Sequence, residues 1–157
     1  MIEQTETQIR VQQSVDVGAA DLFAVLADPR RHVEIDGSGM LRADVSTELI
    51  SGVGQVFTMA MHYPALGDYR TENHVLEFEP GRRISWATAR EHQSPPGVRW
   101  SWDLEPEGAG RTSVLHSCDW SRVTDPAVLA RVSFPRVSAE QLQQSVRRLA
   151  AAAAASG

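Results

Sequence analysis

The sequence predicts an α+β fold, in which a curved antiparallel sheet packs against one long C-terminal helix. Apolar residues alternate like strands over most of residues 42–120, and a helical pattern occupies residues 138–153. The connections between the strands are short and rich in glycine and proline, which favours antiparallel neighbours because parallel pairing needs a long crossover. A curved sheet with a helix across its concave side often encloses a cavity, and ligands bind in such cavities.

The N-terminal part predicts one strand followed by two short helices. Alternating apolar residues over 8–17 indicate a half-buried strand, and helical spacing over 19–27 predicts the first helix. Asp28 provides an N-cap and Pro29 follows at the first helical position. A second short helix is therefore expected over residues 30–35.

The remaining segments complete a sheet of about seven strands and add the final helix. Ser138 and Gln141 form a capping-box pattern, which predicts a helix from there to about residue 153. Leu142 and Val146 lie on its apolar stripe and are expected to face the ligand cavity. The further strands are predicted over residues 42–50, 55–63, 69–79, 83–89, 98–105 and 112–120.

Composition excludes several classes of function. All 15 basic residues are arginine, and an absence of lysine excludes Schiff-base chemistry, pyridoxal phosphate anchoring and phosphate-loop nucleotide binding. A net charge of -5 argues against a nucleic-acid partner. Cys118 is the single cysteine, so no internal disulfide is possible. A length of 157 residues predicts one domain over 1–157. No apolar run approaches the ~20 residues of a membrane helix, and the first six residues are acidic and polar, so we expect no stable membrane anchor and a location in the cytoplasm.

Alternation along the strands predicts which side chains face the cavity. In the 69–79 strand, Leu76 and Phe78 set the inward parity, which carries Glu72 and His74 inward as well. A bulge would reverse that parity and turn Thr71 and Asn73 inward instead. The other residues expected to line the cavity are Phe57, Met59, Met61, Tyr63, Trp86, Trp100, Trp102, His116 and Phe134.

Two histidines are candidates for chemistry. His116 lies among apolar neighbours, and it is either a core histidine satisfied by one hydrogen bond or a functional group of the cavity. Glu72 would orient His74 as a general base, or the two would form an ion pair near the cavity mouth. The histidines have no spacing typical of metal ligands, so no metal and no cofactor are expected.

The sequence also resembles the START-like, or SRPBCC, superfamily, which includes the birch-pollen-allergen fold and the polyketide cyclase/dehydrase and lipid-transport proteins. The resemblance implies a helix-grip fold with two short helices after the first strand, and a ligand site beneath the C-terminal helix. Residues 34–39 and 62–70 are similar to a bacterial subgroup. The segments that carry the main likeness are residues 20–32, 78–86, 102–106 and 138–149.

We therefore expect a protein that binds a small hydrophobic ligand, such as a lipid, a fatty acyl group or a polyketide. One alternative is a polyketide cyclase, aromatase or dehydratase-like enzyme that needs no cofactor and uses a pocket histidine as general base. Another alternative is a regulatory module that binds a partner protein. The resemblance leaves open whether the chain is a monomer or a homodimer.

Overall fold

The computed structural model describes residues 1–156, which contain one antiparallel sheet with the strand order β1-β2-β8-β7-β6-β5-β4-β3. From β4 to β8 each strand pairs with the next one along the chain, whereas β2 pairs with β8, so β1 and β2 lie beyond β8 at one edge of the sheet. The strands are β1 (Ile2–Gln4), β2 (Gln8–Val15), β3 (Leu41–Asp44), β4 (Val56–Tyr63), β5 (Gly67–Glu79), β6 (Arg83–Arg90), β7 (Val98–Pro106) and β8 (Thr112–Asp119).

The first helix and the C-terminal helix begin where the sequence predicts them. The helices are α1 (Ala19–Leu26), a 3₁₀ turn (Pro29–Arg31), α2 (His32–Ile35), α3 (Pro126–Arg131) and α4 (Ala139–Ser156). The Asp125 carboxylate caps α3 by accepting a hydrogen bond from Ala127 N at 2.9 Å. The capping box is confirmed, because Ser138 N donates to Gln141 Oε1 at 2.9 Å and Gln141 N donates to Ser138 Oγ at 3.1 Å.

The α+β architecture is confirmed, with two differences at the edges of the sheet. The three-residue strand β1 was not predicted, because its side chains are exposed and give no apolar alternation. The strand predicted over residues 42–50 ends at Asp44, whose carboxylate accepts from Ser46 N and Thr47 N at 2.9 Å each. This turn ends the regular pairing, although Val45 N still donates to the Thr58 carbonyl of β4 at 2.9 Å, and β3 keeps only four residues.

Helix α4 packs mainly against α1, α2, β2 and β8, so it covers one half of the sheet. Leu142, Val146 and Leu149 form its buried stripe. Gly37 lies so close to α4 that a Cβ atom there would be 2.2 Å from the Gln141 carbonyl oxygen. The Gly37 N–H donates to Ser145 Oγ at 2.9 Å, which ties the segment after α2 to the helix.

Over residues 1–156, none of the helices combines the length and the apolar character that crossing a membrane requires.

Candidate functional site

A cavity of about 630 Å³ lies between the concave face of β4–β8 and the helices. This volume is in the range of small-molecule sites. The rim comes from the β6–β7 loop and from the chain between β8 and α4. Side chains of the cavity wall include all four tryptophans of the chain, which are Trp86, Trp100, Trp102 and Trp120.

His32 belongs to an aromatic cluster at one wall. Its ring stacks on Trp86 with centroids 5.4 Å apart, and Phe57 meets Trp86 edge-on at 5.2 Å. His32 Nε2–H donates to the Leu26 carbonyl at 2.7 Å, and burial lowers the pKa of the ring. The sequence pattern does not single out this residue, which follows the 3₁₀ turn capped by Asp28.

His116 lies on β8 as a neutral imidazole, beside Trp100, which pairs across the sheet with Trp86. The imidazole ring lies against Trp102, with centroids 3.6 Å apart and planes inclined by 14°. Nδ1–H donates to the Ser101 carbonyl at 3.0 Å, which fixes the tautomer because a carbonyl only accepts. Burial lowers the pKa of His116 to about 4. At neutral pH, Nε2 therefore carries a lone pair and acts as a hydrogen-bond acceptor.

The parity predicted for β5 is wrong, because a bulge interrupts its pairing with β6. Val75 pairs with Trp86 and Glu77 with Ser85, so Leu76 is the extra residue. Leu76 is exposed, and His74 and Glu72 lie on the outer face, away from the cavity. Glu72 accepts a hydrogen bond from the backbone N–H of His92 at 2.8 Å, and within residues 1–156 no hydrogen bond joins Glu72 to His74.

Three polar side chains take the inward positions of β5 and β6. Thr71 and Asn73 are buried and line the cavity, as the alternative register requires. Thr88 Oγ1 donates to Asn73 Oδ1 at 2.8 Å, and Asn73 Nδ2 donates to the Phe57 carbonyl at 3.4 Å. This strip gives an otherwise apolar wall one region that can hydrogen-bond.

The remaining predicted residues fall into two groups. Leu142 and Val146 are buried in the core between α4 and the covered half of the sheet, and they do not line the cavity. Tyr63 also lies outside the lining, below the guanidinium of Arg136. The predicted residues that do line the cavity are Phe57, Met59, Met61, Trp86, Trp100, Trp102, His116 and Phe134.

The rim of the cavity is held by close backbone packing. Gly97 has a φ of 122°, and a Cβ atom there would be 2.5 Å from the backbone of Arg122. Only glycine fits that approach between the β6–β7 loop and the chain after β8. Phe134 stacks on Trp120 with centroids 6.0 Å apart, which attaches the segment before α4 to the rim.

Two further kinds of chemistry, metal binding and nucleophilic attack by a thiol, depend on the metal-ligating side chains and on Cys118. Over residues 1–156, no three His, Cys, Asp or Glu side chains converge to hold a metal ion. Cys118 lines the cavity, but burial raises the pKa of its thiol to about 12. At neutral pH it is therefore protonated and a poor nucleophile.

Comparisons with known proteins place the fold and give no activity. No family model matches the chain. Uncharacterized protein Rv0088 of Mycobacterium tuberculosis H37Rv and uncharacterized protein MT0096 of strain CDC 1551 are each 36% identical to it over 113 residues. That region is 71% of this chain and 47% of each relative, so the chain spans about half the length of these relatives.

Two solved structures are similar over nearly the whole chain. Protein Ms6760 of Mycobacterium smegmatis gives a TM-score of 0.72 at 14% identity, covering 100% of this chain and 98% of that one. An AHSA1-like protein of Aeromonas hydrophila gives 0.62 at 14% identity, covering 96% and 94%. These likenesses show a helix-grip fold.

Proposed function

We propose that the chain is a START-like domain that binds a small hydrophobic ligand in the cavity between sheet and helices. The observation that carries the proposal is the cavity of about 630 Å³ with an aromatic and methionine-rich wall. Such a wall releases free energy when it loses contact with water, at roughly 25 cal/mol per Å² of apolar surface. A lipid, a fatty acyl group or a polyketide would supply the matching surface.

A few polar groups would orient that ligand. The strip of Thr71, Asn73 and Thr88 lies on β5 and β6, and Nε2 of His116 lies on β8. The cavity therefore offers hydrogen bonds at two places on its sheet wall, and a small number of polar groups in an apolar lining is typical of selective small-molecule pockets. A hydroxyl or phenol on the ligand would donate to Nε2 of His116.

The test is a binding titration by calorimetry with decanol, a neutral apolar probe. We expect Trp100→Ala to weaken binding about tenfold to a hundredfold, because a Trp side chain loses roughly 1.5–3 kcal/mol of buried contact. Trp100 is half-buried in the lining, so the variant keeps the main core. Leu76→Ala is the control, because Leu76 is exposed on the outer face. Unchanged affinity in a folded Trp100→Ala protein would contradict the assignment of the pocket.

A second candidate is a cyclase-like or dehydratase-like enzyme with His116 as general base. It is favoured by one observation, the neutral ring of His116 whose Nε2 accepts no hydrogen bond within residues 1–156. A pKa of about 4 makes that nitrogen a weak base, which supports binding over proton abstraction. Mass spectrometry of the bound ligand separates the two candidates, since an enzyme returns a product and a carrier returns the ligand unchanged.

A further inference from the structure

The arginines at the cavity mouth differ from most others in the molecule. Elsewhere eight guanidinium groups lie within 4.0 Å of carboxylates, and four others, those of Arg42, Arg122, Arg147 and Arg148, lie outside the cavity lining. The eight paired arginines are Arg10, Arg30, Arg31, Arg70, Arg82, Arg83, Arg99 and Arg111. Arg90, Arg131 and Arg136 line the cavity, and none of them forms a salt bridge within residues 1–156. The lining therefore holds three arginines against two carboxylates, Asp36 and Asp125, in a protein of net charge -5.

The two carboxylates of the cavity lining are already occupied. Asp36 accepts hydrogen bonds from Ser38 N at 2.9 Å, from Ser38 Oγ at 2.7 Å and from Leu41 N at 2.9 Å. Asp125 caps α3 through Ala127 N. Among residues 1–156, neither carboxylate lies within 4.0 Å of an arginine, so Arg90, Arg131 and Arg136 have room at the mouth for an anion from outside the chain.

Two of these arginines converge on one pair of tyrosines. The guanidinium carbon of Arg90 lies 5.9 Å from the ring centre of Tyr69, and that of Arg136 lies 5.2 Å from the ring centre of Tyr63. Burial raises the pKa of Tyr69, and the charges of Arg136 and Arg90 both oppose that rise. Both cations thus act on the same phenol, which stays protonated and able to donate to an anion.

We propose that the ligand carries a carboxylate, which binds Arg90 and Arg136 at the mouth while the apolar part extends inward towards His116. This inference rests on the proposed function and names its ligand class. Arg90 and Ile84 are six residues apart on β6, and Ile84 pairs with Trp102 next to His116. At about 3.3 Å per residue, the path from mouth to His116 is roughly 20 Å along the strand. That length suits a fatty acid or an elongated aromatic acid.

The experiment is calorimetry with two matched pairs of probes, decanoate against decanol and naphthoate against naphthamide. Within a pair the apolar body is constant and only the charge changes. We expect the anion to bind about tenfold to a hundredfold more tightly, as charge-assisted hydrogen bonds from arginine provide. The pair with the larger preference distinguishes an acyl chain from a flat aromatic body. Added salt is expected to weaken the binding of the anion but not that of its neutral partner, because the mouth is open to solvent and salt screens exposed charges.

Variants assign the preference to the arginines. In Arg90→Gln and in Arg136→Gln, the anion is expected to bind with nearly the same affinity as its neutral partner. Arg136→Lys keeps the charge and is expected to keep part of the preference for the anion. Arg147→Gln is the control, since it removes the same charge from the exposed face of α4. An anion that binds no better than its neutral partner, or equally well in both glutamine variants, overturns the inference and leaves the proposed function intact. If neither decanol nor naphthamide nor either acid binds, the proposed function itself fails.

Discussion

The two halves of the sheet have the same alternating sequence pattern, but one half packs into the core and the other forms a cavity wall. On β2 and β8, the inward residues such as Ile9, Val11 and Val114 are covered by α1 and α4 and are at most 1% exposed. On β4 to β7, the inward residues such as Met61 and Trp100 face open space. Alternation thus identifies the inward side of a strand, whereas the position of the helix decides between core and cavity wall.

Truncation should separate the two halves most clearly. We expect Leu149→Ala, in the covered half, to lower the free energy of unfolding by about 2–5 kcal/mol, because its removal leaves a cavity in close-packed core. We expect Met61→Ala, in the uncovered half, to cost about 1 kcal/mol, because the side chain already borders a cavity. Urea unfolding of both variants measures this difference. Equal losses would mean that the uncovered half is packed like a core.

Acid should lower the stability of the fold through His116, which lies on β8 between the covered and the uncovered half of the sheet. Its folded pKa of about 4 is below the unfolded value of about 6.5, so the unfolded chain binds the proton first. Stability is therefore complete above about pH 6.5 and falls as the pH drops towards 4. Between pH 7 and pH 5 we expect a loss of about 2 kcal/mol from His116, with a further loss from His32, whose pKa burial also lowers.

Urea unfolding at both pH values measures that loss. His116→Gln should remove most of the contribution of His116, whereas His92→Gln, at an exposed histidine, should leave the loss unchanged. The same pH dependence in His116→Gln as in the parent protein would rule out His116 as its source.

The smallest effect is expected at His74, on the outer face. His74 Nε2 is buried and has no hydrogen-bond partner within residues 1–156. His74→Leu removes that unsatisfied group, so we expect a gain of up to about 1 kcal/mol in stability. Decanol should bind with the same affinity as before. A tenfold loss of affinity would mean that His74 faces the cavity, which would contradict the bulge at Leu76.

Local patterns in the sequence predict the elements well. The caps at Asp28, Asp125 and Ser138 depend only on residues two or three positions away, so a single sequence contains the whole signal. The same holds for the alternation that turns Phe57 and Met59 inward. These interactions join residues that are close together along the chain, and their geometry follows from the local backbone conformation.

The site is less predictable because it depends on distant partners. The bulge at Leu76 reverses the parity of half a strand without any glycine or proline to mark it. The pairing of Arg99 with Glu77 joins residues of different strands, and only the fold shows that Arg90 and Arg136 lack such a partner. Leu142 and Phe134 are equally apolar in sequence, yet the first fills the core and the second lines the cavity.

The sheet is open, and its two outermost strands are also its shortest, with three residues in β1 and four in β3. An unpaired strand edge is a template on which another chain can add a strand and begin an aggregate. Here Glu3 and Arg10 place charges 3.7 Å apart beside the first edge, and Arg42 is exposed on the second. Short, charged edges resist strand addition, so the open sheet that forms the cavity wall offers little template for aggregation at either end.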